Sequence, residues 1–329
     1  MSALLRAELA RARARPYVWG VVAVLTLGAV GHVLIGWWDT RPPTSAQVTA
    51  ASAALVAAED RWQEEGSALV AQCVERQGTG GGDGVDLGCA DLAPVLEQFL
   101  PYRPGLAHLL EQRVTTVGLM VVIGMLMTGV GLVTAEFATG SMSTWLTFAP
   151  RRGRVFVSKL VAACAASAVV ALVPVLVVVA GLAAVSALHG TGTAVDAATA
   201  AALAGRAARW FAVGLGATVL GVGLGFAVRH AAAVTGIVVW WIAAVESTLP
   251  LVLPSARWLP LSTNIRAWTA GQTTYDVPSC VADVNAPGGE VCRLVAHTVG
   301  AGQGALVAGT LVALAVAAGW LSFRLRDVT

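Results

Sequence analysis

The sequence carries little charge for its length. Only 12% of its 329 residues are Asp, Glu, Lys or Arg, whereas 57% are hydrophobic and the mean hydropathy is +0.73. Because soluble domains carry about a quarter charged residues, this composition excludes an ordinary water-soluble domain. Lysine is almost absent: Lys159 is the only one, and Val, Phe, Val and Ser precede it. A phosphate-binding P-loop needs a glycine-rich turn before its lysine, so the chain has no motif for hydrolysing ATP.

Motifs for other catalytic centres are also lacking. The sequence contains neither Gly-x-Ser-x-Gly nor His-Glu-x-x-His, and its five histidines are scattered. An intramembrane enzyme would need a nucleophile and a base, or metal ligands, at membrane depth. We therefore predict no catalytic residue, no cofactor and no metal on this chain. We also expect no nucleic-acid partner.

What the sequence does have is long apolar runs. Each run has about 19 or more residues, enough to cross a hydrocarbon core of about 30 Å as a helix. The long runs show no strand-like alternation, which argues against a β-barrel. The fold class predicted is an all-α membrane protein with six transmembrane helices, near 17–38, 114–135, 160–185, 210–228, 231–249 and 298–323.

Basic residues concentrate on one side of this six-span arrangement, where the only acidic residues are Glu8, Glu136 and Asp327. The positive-inside rule makes that side cytoplasmic. We therefore expect a multi-pass protein of the plasma membrane with both termini in the cytoplasm. The expected segments outside the spans are a cytoplasmic N-terminal segment (1–16), a cytoplasmic loop (136–159) and two sizeable extracellular loops (39–113 and 250–297). The basic residues on that side are Arg6, Arg11, Arg13, Arg15, Arg151, Arg152, Arg154, Lys159, Arg229, Arg324 and Arg326.

Four of the five cysteines fall in the two extracellular loops. Cys73 and Cys89 share the first loop, and Cys280 and Cys292 share the second. Even pairs outside the cytoplasm favour disulfides. Four cysteines allow three sets of pairs. Pairing within each loop joins the cysteines that are closest in sequence. Metal binding is the alternative, although no Cys-x-x-Cys motif or neighbouring histidine supports it.

The loop between the second and third spans, Glu136 to Lys159, is the most informative segment. Its Met142, Trp145, Leu146 and Phe148 can form one apolar helical face. Pro150 ends that helix, and the arginines that follow suit the headgroup region. From these residues alone, an interfacial amphipathic helix that merely turns the chain is an equally good interpretation.

This loop resembles the corresponding segment of ABC-2 type transporter permeases. That family has a Glu after the second span, Gly-Thr/Ser, a hydrophobic patch, Pro and a basic residue, and a basic residue opening the third span. The stretch 4–9 resembles the family's amphipathic elbow helix, and 323–328 resembles its usual ending. The long, cysteine-bearing first extracellular loop departs from many members. The matching positions here are Glu136, Gly140, Ser141, Leu146, Pro150, Arg152 and Lys159.

The resemblance implies that the loop is a coupling helix that docks on a separate ATP-binding cassette ATPase. ATP and Mg²⁺ would then be bound by that partner, not by this chain. A second copy of the chain, or a homologue, would complete the permease within the membrane lipid. The residues implied in ATPase coupling are Glu136, Phe137, Gly140, Ser141, Trp145, Leu146, Pro150, Arg152 and Lys159.

The cargo is expected to be hydrophobic or amphipathic, such as a drug, lipid or peptide, because the spans contain few charges. Glu246 and His32 are ionisable residues near the outer ends of spans. Such a residue is a candidate for the substrate path or gate, but Glu246 in a hydrated interface and His32 in simple packing are equally acceptable interpretations. The alternative function is a non-transporting sensor or immunity component that binds an extracellular peptide and signals through the 136–159 loop.

Overall fold

The computed structural model describes residues 2–79, 88–148, 150–282 and 290–327. Helix α1 (Ser2–Ala14) leads into α2 (Pro16–Thr40), and the long helix α3 (Ser45–Thr79) precedes α4 (Leu106–Ala138). The short helix α5 (Ser141–Phe148) joins α4 to α6 (Arg152–His189), which is followed by α7 (Ala197–Val228). The remaining elements are α8 (Ala231–Trp241), a π-helical turn (Ile242–Thr248), α9 (Leu249–Val252), α10 (Leu261–Ala270), strands β1 (Gln272–Ala282) and β2 (Glu290–Gly300), and α11 (Ala301–Leu325).

Six helices in the described residues are long and apolar enough to cross a membrane, so the chain has the build of a multi-pass membrane protein. They are α2, α4, α6, α7, Ala231–Val252 and α11. Several extend past the predicted spans; α6 has 38 residues and α4 has 33. The extra turns arise because a hydropathy boundary marks where lipid ends, whereas a helix ends where its backbone is capped. Gly190, at φ +65°, provides such a cap after α6.

Helix α4 is the centre of the bundle and packs against α2, α6 and α7. Its closest approach is to α7, where a Cβ on Gly129 would collide with the backbone oxygen of Thr218. The hydroxyl of Thr218 donates to the carbonyl of Met125 across the same contact. On its other side α7 meets α11 just as closely, between Gly223 and Gly319. Small residues thus bring three spanning helices into backbone contact.

One end of the bundle holds α1, α5 and the last turn of α11; we call it the basic end. The other, the loop end, holds α3, α10 and the two strands. The predicted disulfides are confirmed there: Cys73 is bonded to Cys89, and Cys280 to Cys292. Parts of both predicted extracellular loops, 80–87 and 283–289, lie outside the described residues.

The two strands differ from the all-α prediction. β1 and β2 pair antiparallel with Cys280 opposite Cys292. The two strands contain five Val and three Thr residues, which favour a pleated strand, and the disulfide cross-links the pair. Before the strands, the proline-containing segment from 250 folds into α9, a 3₁₀ turn and α10, and α10 packs against α11 and α7.

Candidate functional site: an ion network beneath helix α5

Four charged side chains form a continuous network at the basic end. Lys159 Nζ lies 3.0 Å from Glu8 Oε1 and 2.5 Å from Glu136 Oε2. Arg15 donates to Glu136 Oε1 at 2.7 Å and to the carbonyl of Leu132 at 2.8 Å. Two cations therefore neutralise two carboxylates, and the chain of contacts runs from Glu8 through Lys159 and Glu136 to Arg15.

Three of the four side chains in the network are almost completely shielded from solvent, and the Arg15 side chain is 22% exposed. The exposed fraction is 6% for Glu8, 1% for Glu136 and 4% for Lys159. A buried charge is tolerated only when it is paired, because desolvating an unpaired ion costs several kcal/mol. The pairing therefore fixes three elements relative to one another: α1 through Glu8, the end of α4 through Glu136, and the start of α6 through Lys159.

Helix α5 lies on this network. Gly140, at φ +68°, ends α4 with a left-handed residue and turns the chain into α5. Met142 is fully buried, and Leu146 packs against the same apolar cluster as Phe156 and Phe226. Trp145 receives the guanidinium of Arg11 over its ring at 4.3 Å. A cation placed there is attracted by the ring face, so α5 is attached to α1 as well as to the bundle.

The opposite face of α5 is open. Phe148 is 83% exposed, which corrects the expectation that it shares one apolar face with Met142, Trp145 and Leu146. That expectation was wrong because residues 142, 145 and 146 fall on the bundle side of the helix, while residue 148 falls on the far side. Five residues near Phe148 in the sequence are also exposed: Thr144, Thr147, Pro150, Arg151 and Arg154. We call Phe148 and these five residues the α5 outer surface.

Arg152 turns away from that surface towards the end of α11. Its guanidinium donates to the carbonyls of Phe323, Arg324 and Arg326 at 2.7, 3.0 and 3.2 Å. Arg229 makes a similar contact, to the carbonyls of Asp327 and Ser322. Burial, together with the positive charges of Arg326 and Arg152, lowers the pKa of Arg229 below its ordinary value. Basic side chains here satisfy the last carbonyls of a helix.

The nine residues singled out in the sequence thus take different places. Glu136 and Lys159 meet in the ion network. Phe137 packs edge-on against Phe226, while Ser141 begins α5 and accepts a hydrogen bond from Thr139. Of the nine, Pro150 alone belongs to the α5 outer surface.

Sequence reasoning missed Glu8, Arg11 and Arg15 as members of this site. Glu8 had a readable signal, since it is one of only three acidic residues assigned to the basic side. A carboxylate among so many arginines is a candidate ion-pair partner. Its specific pairing with Lys159, 151 residues away, depends on how α1 folds back against α6 and has no local pattern.

Glu246 lies far from this network and has a different environment. Its carboxylate accepts hydrogen bonds from Trp241 Nε1 at 2.8 Å, from the Leu261 amide at 2.7 Å and from the Ser262 amide at 2.8 Å. The Leu261 and Ser262 amides are at the start of α10 and have no acceptor within that helix. Glu246 supplies the acceptor and therefore caps α10. The π-helical turn is the part of the fifth span that carries this carboxylate.

The described residues contain no group of three or more His, Cys, Asp or Glu side chains placed to share a metal ion. The ion network likewise has no room for a small molecule, because its cavity is only about 10 Å³. The arrangement ties α1, α4 and α6 together next to α5. Comparison with protein-family models, with curated proteins and with solved structures finds no match to this chain.

Proposed function

We propose that this chain is the membrane-spanning permease subunit of an ATP-binding cassette transporter. It exports a hydrophobic or amphipathic substrate with ATP hydrolysed by a separate subunit. The observation that carries the proposal is the construction of α5: one face is held to the bundle by the buried Met142 and by the Arg11–Trp145 contact, and the other leaves Phe148 83% exposed. The ABC-2 resemblance of this segment supports the same function.

The contacts of α5 would carry a movement of this helix into the membrane-spanning helices. A partner that moves on binding ATP would push on the α5 outer surface. Trp145 is held by Arg11, and Glu136 and Lys159 join the helix ends on either side of α5. Because buried ion pairs are costly to separate, the displacement would pass to α1, α4 and α6 as one unit. Those helices would then reopen the permease on the far side.

We place the basic end in the cytoplasm and the loop end outside the plasma membrane. The arginine-rich ends of α1, α6 and α11 support this orientation, and so do the two disulfides at the loop end. A membrane-impermeant maleimide should label Cys73 in intact cells after mild reduction. A cysteine introduced at the exposed Thr147 should be labelled only after the cells are opened. The reverse pattern would overturn the orientation.

A second copy of the chain, or a homologue, is part of the proposal. The fifth span, Ala231–Val252, is the least buried of the six helices. Only 6% of its most apolar 18-residue stretch is buried against the rest of the chain. It therefore has free surface for a second permease subunit within the lipid. Two differently tagged copies should co-purify if the permease is a homodimer.

Co-purification with the ATPase tests the proposal. The tagged chain is expressed with a candidate ATP-binding cassette ATPase from the same genome and solubilised gently. We expect the wild type to retain the ATPase and Phe148→Glu to lose it at least about tenfold, since a buried charge costs an interface more than 1.4 kcal/mol. The matched control is Leu325→Glu, an equally exposed apolar residue (76%) at the same end. Loss in both variants, or in neither, would contradict the docking surface.

The sensor alternative is favoured by a separate feature at the loop end. A groove of about 510 Å³ runs between α3 and the segment after Cys89, lined by polar and apolar residues such as Trp62, Glu65 and Phe99. Such a groove is large enough for a peptide side chain or a small ligand. ATP-driven flux by the reconstituted complex would reject the sensor function, whereas ligand binding without flux would favour it.

A further inference from the structure

Three arginines meet around the last turn of α11 at the basic end. Arg152 comes from the start of α6, Arg229 from the residue after α7, and Arg326 from the residue after α11. All three donate to backbone carbonyls of α7 or of the end of α11. Burial and the charges of Arg326 and Arg152 together lower the pKa of Arg229, so the three cations lie close to one another. We call them the α11 arginine cluster.

The positive charge of the cluster is only partly neutralised. None of its three arginines forms an ion pair with a carboxylate of the described residues. Asp327 is the one carboxylate whose charge acts on Arg229 within that part of the chain. The carbonyl ends of α7 and α11 each supply about half a negative charge, so about one positive charge is left over. The exposed Arg324 adds another.

Other cations near the ends of the spans have carboxylate partners. Arg113 binds Asp39 at 2.6 Å, and Arg206 lies 3.9 Å from Glu111. In the ion network, two cations balance two carboxylates. The α11 arginine cluster lacks such a balance, so an anion that is not part of the described residues would stabilise it.

The cluster also has accessible hydrogen-bond donors to spare. Arg152 uses Nη1 for its three carbonyl contacts. Its Nε and Nη2 have no acceptor in the described residues, and neither belongs to the atoms that are shut off from solvent there. Arg326 is exposed and uses only Nη1, for the Ala227 carbonyl at 3.4 Å. The remaining N–H groups of a guanidinium form a fork that fits two oxygens of a phosphate.

An exposed apolar stripe of α11 leads up to the cluster. Leu314, Leu321 and Leu325 are all exposed and, at positions i, i+7 and i+11, they lie on one face of the helix. The stripe is about 16 Å long, close to half of a hydrocarbon core of about 30 Å. It therefore has the length of one leaflet, and the arginine cluster lies where the headgroups of that leaflet would be.

We propose that the α11 arginine cluster binds the phosphate of one anionic phospholipid in the leaflet at the basic end. The phosphate oxygens accept from the spare donors of Arg152 and Arg326, and an acyl chain lies along the leucine stripe. The excess positive charge favours a lipid of net negative charge, such as phosphatidylglycerol, over phosphatidylcholine, whose headgroup carries its own cation. This inference rests on the chain lying in a bilayer and does not depend on the proposed transport function.

Lipid binding to the purified full chain tests the site. Native mass spectrometry counts the phosphatidylglycerol molecules that the chain retains as the lipid is titrated in detergent. We expect the first molecule to bind more tightly than those that follow. Arg324→Gln combined with Arg326→Gln should weaken the first step about 20-fold, because each arginine near an anionic headgroup contributes about fivefold. Both side chains are exposed, and the contacts of Arg152 with the end of α11 stay in place.

The matched control is Arg13→Gln combined with Arg154→Gln. These two arginines are also exposed at the basic end, and their replacement changes the net charge by the same amount. The control should bind the first phosphatidylglycerol as the wild type does. An equal loss in the two double variants would show that the chain attracts anionic lipid only through its overall charge, and would overturn the site.

Two further measurements identify the ligand. Phosphatidylcholine has the same phosphate and acyl chains but no net charge, and it should not show the tight first step. A large excess of inorganic phosphate should leave phosphatidylglycerol bound, because free phosphate has no acyl chain for the leucine stripe. Equal binding of the two lipids, or displacement of phosphatidylglycerol by inorganic phosphate, would each overturn the proposal.

Discussion

Lys159→Met is expected to be among the most destabilising single substitutions in this protein. It removes the cation between Glu8 and Glu136 and leaves one carboxylate unpaired in a site that is almost fully buried. Breaking a buried ion pair by removing one partner costs ~3–5 kcal/mol. The free energy of unfolding, measured in mixed micelles, should fall by that amount.

A double variant separates lost pairing from lost packing. Lys159→Met combined with Glu8→Met removes both charges and leaves Glu136 with Arg15 at 2.7 Å. Because an apolar replacement of a whole buried pair is often nearly neutral, the double variant should recover about half or more of the loss. If the stability loss of the double variant equals the sum of the losses of the two single variants, the network does not act as a unit.

Glu246→Ala is expected to loosen α10 from the fifth span. The substitution leaves Trp241 Nε1 and the amides of Leu261 and Ser262 without their acceptor. Since hydrogen bonds to a charged group are each worth about 1.5–3 kcal/mol and water replaces some of them here, we expect a net loss of ~3 kcal/mol. Hydrogen exchange should show it locally, with the Leu261 and Ser262 amides exchanging at least about tenfold faster.

Two variants serve as controls for that result. Glu246→Gln retains an acceptor oxygen and should show a smaller effect on the same two amides. Glu111→Ala removes a carboxylate that is 56% exposed and 3.9 Å from Arg206, so it should leave α10 unchanged. If Glu246→Ala leaves exchange in α10 at the wild-type rate, the carboxylate does not cap that helix.

The six long helices were predictable because lipid imposes a simple rule on the sequence. Backbone groups in a hydrocarbon core must form hydrogen bonds within their own segment, so a long apolar run in the membrane forms a helix. The disulfides were predictable for a similar reason: Cys73 and Cys89 are close in sequence, and so are Cys280 and Cys292. The helix ends were less predictable, since α4 continues to Ala138, beyond the last residue of its predicted span.

The contacts within the ion network could not be predicted from the sequence. Glu136 and Lys159 were identified through a resemblance, but their contact depends on α4 and α6 approaching each other at one depth. Glu8 joins them only because α1 folds back against α6. Long-range geometry of this kind has no local signal. The strands were missed because β propensity depends on cross-strand neighbours, which the sequence of one segment does not display.

Site-specific crosslinking at Phe148 tests whether α5 contacts an ATPase. A photoreactive phenylalanine analogue at position 148 would be activated in native membranes, and at Leu325 in parallel. We expect a covalent adduct between residue 148 and an ATP-binding cassette ATPase, and no such adduct at residue 325. Adducts at position 148 that contain only lipid, in membranes where the ATPase is present, would contradict the permease assignment.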